Sequence, residues 1–266
     1  TQSIALLFQQ STIRKHSQLL QSTNTSQQQF KRWTPLHINE GQSSYAQEQL
    51  WVDEYVRYHA IEKTQKRGAI NNQPQVKEIV CGKISIKRLI NALQLIVKKH
   101  AVLRTSLNYD EEKQLLKQTI EPLTTMNYSF RISSISNDEG EDEQLMRIFV
   151  EEVRSTDCFD LEQGQAFRCH IVRRRKNEEL RENDDTLVKG DLIVLNTHHA
   201  AFDGRSIETL INDLRQSYLF GELEELDLNY IDYSYYERHM DMSDARKYWK
   251  NLLDGYDINR QRLKLP

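Results

Sequence analysis

The chain has 266 residues, enough to bury a core, with 38% hydrophobic and 28% charged residues and a net charge of −3. That balance fits a soluble globular protein; no basic stripe dominates to favour nucleic acid, and no apolar run approaches the length of a membrane span. Cys81, Cys158 and Cys169 are odd in number, widely spaced and without a C-x-x-C pair, which argues against a disulfide framework or zinc site and points to a reducing cytoplasm.

Residues 1–33 are rich in Gln, Ser and Thr and read as a flexible N-terminal extension or linker. TQSIALLFQQ has neither a basic n-region nor a sustained apolar h-region, so a secretory signal is not expected, and a start at Thr1 suggests a piece of something longer. SYAQEQLW predicts a helix with Ser43 or Ser44 as N-cap and Ala46, Leu50 and Trp51 on one face. Ile79 to Cys81 reads as a strand. Ser85 then caps a helix carrying Ile86, Leu89, Ile90, Leu93, Ile96 and Val97 at helical spacing. At its end His100 suits a capping contact with the last carbonyls. Arg104 opens an apparent half-buried strand, where a guanidinium without an anion would cost several kcal/mol.

Leu115 to Ile120 reads as the second strand of a hairpin, and Leu145, Ile148, Phe149 and Val153 mark another amphipathic helix. Ala166 to Arg173 alternates as a strand, with Cys169 between Phe167 and Ile171 in the core, and the mixed charges of Arg173 to Asp185 read as a solvated hairpin tip.

Asp191 to Leu219 concentrates the chemistry. Leu192 to Leu195 is a buried strand, Ile207, Leu210, Ile211, Leu214 and Tyr218 form a helical stripe, and His198, His199, Asp203 and Gly204 lie between them. Open α/β sheets often place polar, titratable residues where a strand gives way to a helix. Neighbouring strand residues point to opposite faces, so one histidine should meet packed protein and the other a cavity, which argues against a metal site. Asp203 is either a second catalytic group or a structural anion paired with a buried cation. Gly204 fits a positive φ or the close approach of another backbone or a ligand. Asn229 to Glu237 forms an aromatic patch, and Ser243 starts a helix with Ala245, Tyr248, Trp249 and Leu252.

His198-His199-Ala200-Ala201-Phe202-Asp203-Gly204 resembles the His-His-x-x-x-Asp-Gly signature of condensation domains of nonribosomal peptide synthetases. Three further stretches resemble motifs of that family. Ser44, Ala46, Gln47, Leu50 and Trp51 match the first, with Gln49 in place of its arginine, and His100, Leu103, Arg104 and Thr105 match the second. Tyr230, Asp232 and Tyr233 match the fourth, and Cys158 to Val172 resembles a further common segment, with Gln165 in place of its proline. The resemblance covers residues 40 to 266.

It implies a chloramphenicol acetyltransferase-like α/β (α+β sandwich) fold, a mixed sheet flanked by helices in a single subdomain. Residues 34–266 would be the N-terminal half of a condensation domain whose C-terminal half is absent. It further implies amide-bond formation between carrier-bound thioesters, with His199 as base or positioner of the attacking amine and His198 in packing around the loop. Arg104 would pair with Asp203 as scaffold, and a backbone N–H near Gly204 would serve as oxyanion donor. The implied partners are peptidyl and aminoacyl carrier proteins and the missing half; phosphopantetheine arrives on the carriers, with no cofactor or metal bound directly. The alternatives are a noncatalytic remnant or carrier-docking module, or an acyl-CoA-dependent acyltransferase acting as a homotrimer; the first motif weighs against an epimerisation domain.

Overall fold

The computed structural model describes residues 33–60, 69–124, 127–135, 140–174 and 185–256. The chain divides into units 1–34 and 35–266. The reading of residues 1–33 as an extension lies, but for Trp33, outside the described residues, and so does most of the charge run between Arg173 and Asp185.

In chain order the described elements are β1 (Glu40–Gln42), α1 (Tyr45–Ala60), β2 (Asn72–Glu78), β3 (Lys83–Ser85), α2 (Ile86–Lys99), β4 (Thr105–Asp110), β5 (Leu115–Ile120), β6 (Ser129–Ile135), α3 (Glu141–Arg154), β7 (Phe167–Arg174), β8 (Thr186–Val188), β9 (Leu192–His198), α4 (Ser206–Phe220), α5 (Tyr230–His239) and α6 (Ser243–Leu252). A 3-10 turn, Ala101–Arg104, joins α2 to β4. The central sheet runs β2-β9-β7-β6, antiparallel except for the parallel β7–β6 pair. A second sheet, β1-β5-β4, is antiparallel throughout, and β3 pairs with β8.

Every residue of β9 is buried, because helices cover both faces of the central sheet. Phe167, Cys169, Ile171, Ile193 and Leu195 face α2 and α4, where they meet Leu89, Leu93, Ile96 and Leu210. Val172, Leu192, Val194 and Ile135 face Leu145 and Ile148 of α3. Fully burying one such side chain is worth about 1.5–3 kcal/mol, so these two layers fix the sheet between its helices. The result is the mixed sheet flanked by helices that the resemblance implies.

The helix starts follow from local chemistry. Ser85 Oγ accepts the Arg88 N–H at 3.2 Å. At α1, Ser44 Oγ accepts the Gln47 N–H at 3.1 Å while Gln47 Oε1 accepts the Ser44 N–H at 3.0 Å, a reciprocal capping box. The inward face of α1 differs from expectation: Ala46 is exposed and Gln47 is buried. The strand expected at Ile79–Cys81 also lies elsewhere. Asn72–Glu78 pairs with β9 instead, and its Pro74, which has no N–H to donate, is tolerated because β2 is an edge strand.

Candidate functional site

Strand β9 ends at His198, whose N–H donates to Ala166 O at 3.0 Å. A turn follows: Ala201 N–H donates to His198 O at 3.0 Å and Phe202 N–H to His199 O at 3.4 Å, before α4 begins at Ser206. His198 is 4% exposed, and His199, one residue on, is exposed.

Hydrogen bonding assigns the two rings opposite tautomers. His198 Nδ1 lies 3.1 Å from the Ala200 N–H, which can only donate, so Nδ1 accepts and carries no hydrogen. The His198 hydrogen is therefore on Nε2, which donates to Glu54 Oε1 at 3.0 Å. The Phe159 ring meets the imidazole edge-on at 5.7 Å. In His199 the arrangement is reversed: Nδ1 lies 2.8 Å from Phe202 O, which can only accept. His199 therefore holds a hydrogen on Nδ1, which in the neutral ring leaves the lone pair on Nε2. Its backbone N–H donates to Asn71 O at 2.9 Å.

Asp203 serves the turn. Its Oδ1 accepts from Ser206 N at 2.9 Å and from Ser206 Oγ at 2.7 Å. Those bonds, with a smaller electrostatic contribution from His199, hold the exposed carboxyl below its ordinary range.

The expected ion pair between Arg104 and Asp203 is not made. The Arg104 guanidinium donates from Nε to Val97 O at 3.3 Å and from Nη1 to Glu121 O. Val97 lies in the last turn of α2, where carbonyls lack helical partners. A half-buried guanidinium satisfied by main-chain carbonyls needs no anion, although its burial lowers the pKa. Arg104 also ends the 3-10 turn rather than opening β4. Nor does Gly204 have a positive φ, and beyond its own chain neighbours no atom lies within 4 Å of where its Cβ would be, so neither strain nor a close backbone explains it.

The other motif residues serve the same frame. His100 Nε2 and Lys99 Nζ both reach Asp213, at 2.6 and 3.0 Å, so His100 ties α2 to α4 instead of capping its own helix through the ring. The aromatic patch is helix α5: the Tyr230 and Ser44 hydroxyls lie 2.9 Å apart, and Asp232 closes a capping box with Asn229.

A cavity of about 880 Å³ opens beside His198, lined among others by Trp51, Glu54, Leu107, Phe159 and Leu161. Trp51 stacks against Tyr55 and Tyr109 with ring centroids 5.0 and 5.3 Å apart. The buried histidine therefore borders the cavity, and the exposed one faces open solvent. Among the described residues, no group of three or more His, Cys, Asp or Glu is placed to hold a metal ion.

Glu54 and Asn71 were not anticipated as site residues. Asn71 Nδ2 donates to Glu54 Oε1 at 2.9 Å, so this pair supports both histidines. The available signal was spacing: Gln47, Trp51 and Glu54 recur at intervals of four and three, which puts a carboxylate on the inward face of α1.

A family model described as "Condensation domain" matches residues 46–265. Surfactin synthase subunit 2 of Bacillus subtilis (strain 168) is 24% identical over 253 residues, which are 95% of this chain and 6% of that protein. The starter condensation domain of rhizomide synthetase aligns with a TM-score of 0.60 at 13% identity, over 83% of this chain and 49% of that one. The X-domain and OxyB complex from teicoplanin biosynthesis aligns with a TM-score of 0.59 at 18% identity, over 85% of this chain and 45% of the matched one. The chain thus spans about half the length of the solved chains it matches and a small part of the curated relative.

Proposed function

Because this chain belongs to the condensation-domain family, we propose that residues 34–266 form the histidine-bearing half of an acyltransferase-type site that joins carrier-bound thioesters through an amide bond in nonribosomal peptide synthesis. The observation that carries this reading is the His199 ring, anchored through Nδ1 to the Phe202 carbonyl with its Nε2 lone pair free of hydrogen bonds to described residues.

The chemistry follows from that lone pair. An α-amine with a pKa near ~8 is mostly protonated at neutral pH and not nucleophilic. The neutral amine fraction, its ammonium proton left to solvent, is the nucleophile: His199 Nε2 takes one N–H proton as the amine nitrogen attacks the thioester carbonyl; the C–N bond forms and the carbonyl π electrons move onto oxygen. The resulting tetrahedral oxyanion needs a donor, and a backbone N–H near Gly204, whose Cβ position faces open space, is suited to it. Collapse re-forms the carbonyl, breaks the C–S bond and returns the proton to the departing thiolate. The thioester is already activated, so no metal or nucleotide enters. Phosphopantetheine arms arrive on peptidyl and aminoacyl carrier proteins, and the second half of the domain encloses the site.

The test compares His199→Ala with the parent in the synthetase that carries this chain, measuring dipeptidyl-carrier product. Loss of a positioned base should lower turnover by about 10²–10⁴-fold. Undiminished product would remove His199 from the reaction. The X-domain neighbour, solved with OxyB, favours a second reading in which this chain docks a partner without turnover. Carrier binding that survives His199→Ala, with no product from the parent, would select it.

A further inference from the structure

We propose that Glu54 is a positioning residue for His199, acting through the tautomer of His198; the inference rests on the reading of His199 as the reacting base. Glu54 projects from α1, far from the signature in sequence, and its Oε1 accepts from His198 Nε2 at 3.0 Å and from Asn71 Nδ2 at 2.9 Å. Its side chain is 14% exposed and borders the cavity.

A carboxylate can only accept, so it selects the Nε2–H form of His198. That form leaves Nδ1 free to accept the Ala200 N–H, which is the first bond of the turn from His199 to Phe202. The turn brings the Phe202 carbonyl beneath His199 Nδ1, and that bond in turn leaves Nε2 as the open lone pair. Asn71 closes the circuit: its amide donates to Glu54 and its carbonyl takes the His199 N–H at 2.9 Å. In the other tautomer, a His198 Nδ1–H would meet the Ala200 N–H donor to donor and open the turn. The carboxylate on α1 thus sets which nitrogen of the neighbouring, outward-facing ring carries the proton, without touching it.

The experiment uses this chain with ¹⁵N-labelled histidine and Glu54→Gln and Glu54→Ala variants, read by long-range ¹H–¹⁵N correlation, together with turnover in the parent synthetase. In the parent chain His198 should be protonated at Nε2 and His199 at Nδ1. Glu54→Gln keeps an acceptor oxygen on both donors, so both tautomers and turnover within about threefold should persist. Glu54→Ala should mix the His198 tautomers and lower kcat about ten- to a hundredfold at constant KM, the scale of a misplaced reacting group. Added formate, reaching the vacated position through the cavity, should restore the His198 signal and part of the rate. His198 protonated at Nδ1 in the parent, or Glu54→Ala leaving both imidazole spectra unchanged, would overturn the proposal. So would Glu54→Gln losing as much rate as Glu54→Ala with its tautomers intact. If the parent makes no product, the reaction assignment fails, and the spectra alone still decide whether Glu54 controls the two rings.

Discussion

Replacing Glu152 by Gln should cost more stability than any surface change in this protein. Glu152 is fully buried on α3. Its Oε1 receives Arg168 Nε at 3.1 Å, Arg168 Nη2 at 3.0 Å and His170 Nδ1 at 2.8 Å, and its Oε2 receives Asn196 Nδ2 at 2.9 Å. Whichever way a glutamine amide turns, its NH₂ group meets a donor, and Arg168, a residue 9% exposed, loses its counter-charge. Breaking a buried pair in this way costs about 3–5 kcal/mol, against a total stability of about 5–15 kcal/mol for a domain. Urea denaturation at pH 7 measures the loss, and a cost below about 1 kcal/mol would refute the reasoning. Glu152→Met with Arg168→Met should lose less than the single change, because no unpaired charge stays buried. The pH dependence has a definite sign. Burial alone would raise the Glu152 carboxyl, but hydrogen bonds from His170 and Asn196 and the charge of Arg168 outweigh it and leave the pKa lowered. The contribution is therefore complete above the unfolded value of about 4.3 and lost as pH falls through the lower folded value, so the Gln variant should show a flatter acid limb.

Asp203→Ala should cost about 0.5–2 kcal/mol in thermal unfolding at pH 7, because Ser206 loses its acceptor at the start of α4. The Asp203 pKa is lowered in the fold, so the difference should be full above about pH 4 and shrink as pH falls through the folded value; an equal cost at pH 3 would contradict it. Gly164→Ala should be worse than Gly221→Ala although both glycines have positive φ. A Cβ at 164 would lie 2.9 Å from Glu121 Cγ and 3.0 Å from Arg104 O, whereas nothing lies within 4 Å at 221. The expected losses are about 1–3 kcal/mol at 164 and roughly 1 kcal/mol at 221, compared by urea midpoints. A thiol reagent should modify Cys81 alone in the folded chain, since Cys158 and Cys169 are buried and burial pushes the Cys169 thiol up to about 12. Rapid labelling of a second cysteine without unfolding would count against this core.

The parts of the fold that apolar periodicity encodes were legible. The stripe of α2, the buried β7 and β9 and the stripe of α4 follow from spacing, because nonpolar burial depends only on which face a residue occupies. Edge strands were not: β2 reads NQPQVKE and β6 reads SFRISSI, and such half-exposed strands carry little apolar signal. At the site, strand geometry indicated that only one of His198 and His199 would be packed, but β9 ends at His198, so His199 is turned outward by the following turn, and the cavity borders the buried ring instead of the exposed one. The partner of Arg104 was not, because main-chain carbonyls are acceptors that no side-chain pattern reveals. Glu54 needed knowledge of which helix meets the end of β9, a tertiary fact.

Those contacts explain why this polar machinery sits in a sheet otherwise built from apolar residues. Asn196 and His198 are two residues apart on β9 and point to the same face. Each is held by a carboxylate from a different helix, Asn196 by Glu152 of α3 and His198 by Glu54 of α1. Asn72, at the start of the neighbouring strand, adds bonds to the carbonyls of Glu152 and Ser155 at 3.1 and 2.9 Å. Apolar contacts press helices onto a sheet but tolerate sliding along it, whereas hydrogen bonds weaken steeply with distance and angle. Two carboxylates gripping alternate residues therefore fix where the strand ends relative to both helices. The residue after that end is His199, so the position of its outward ring is set by buried polar bonds on the opposite side of the strand.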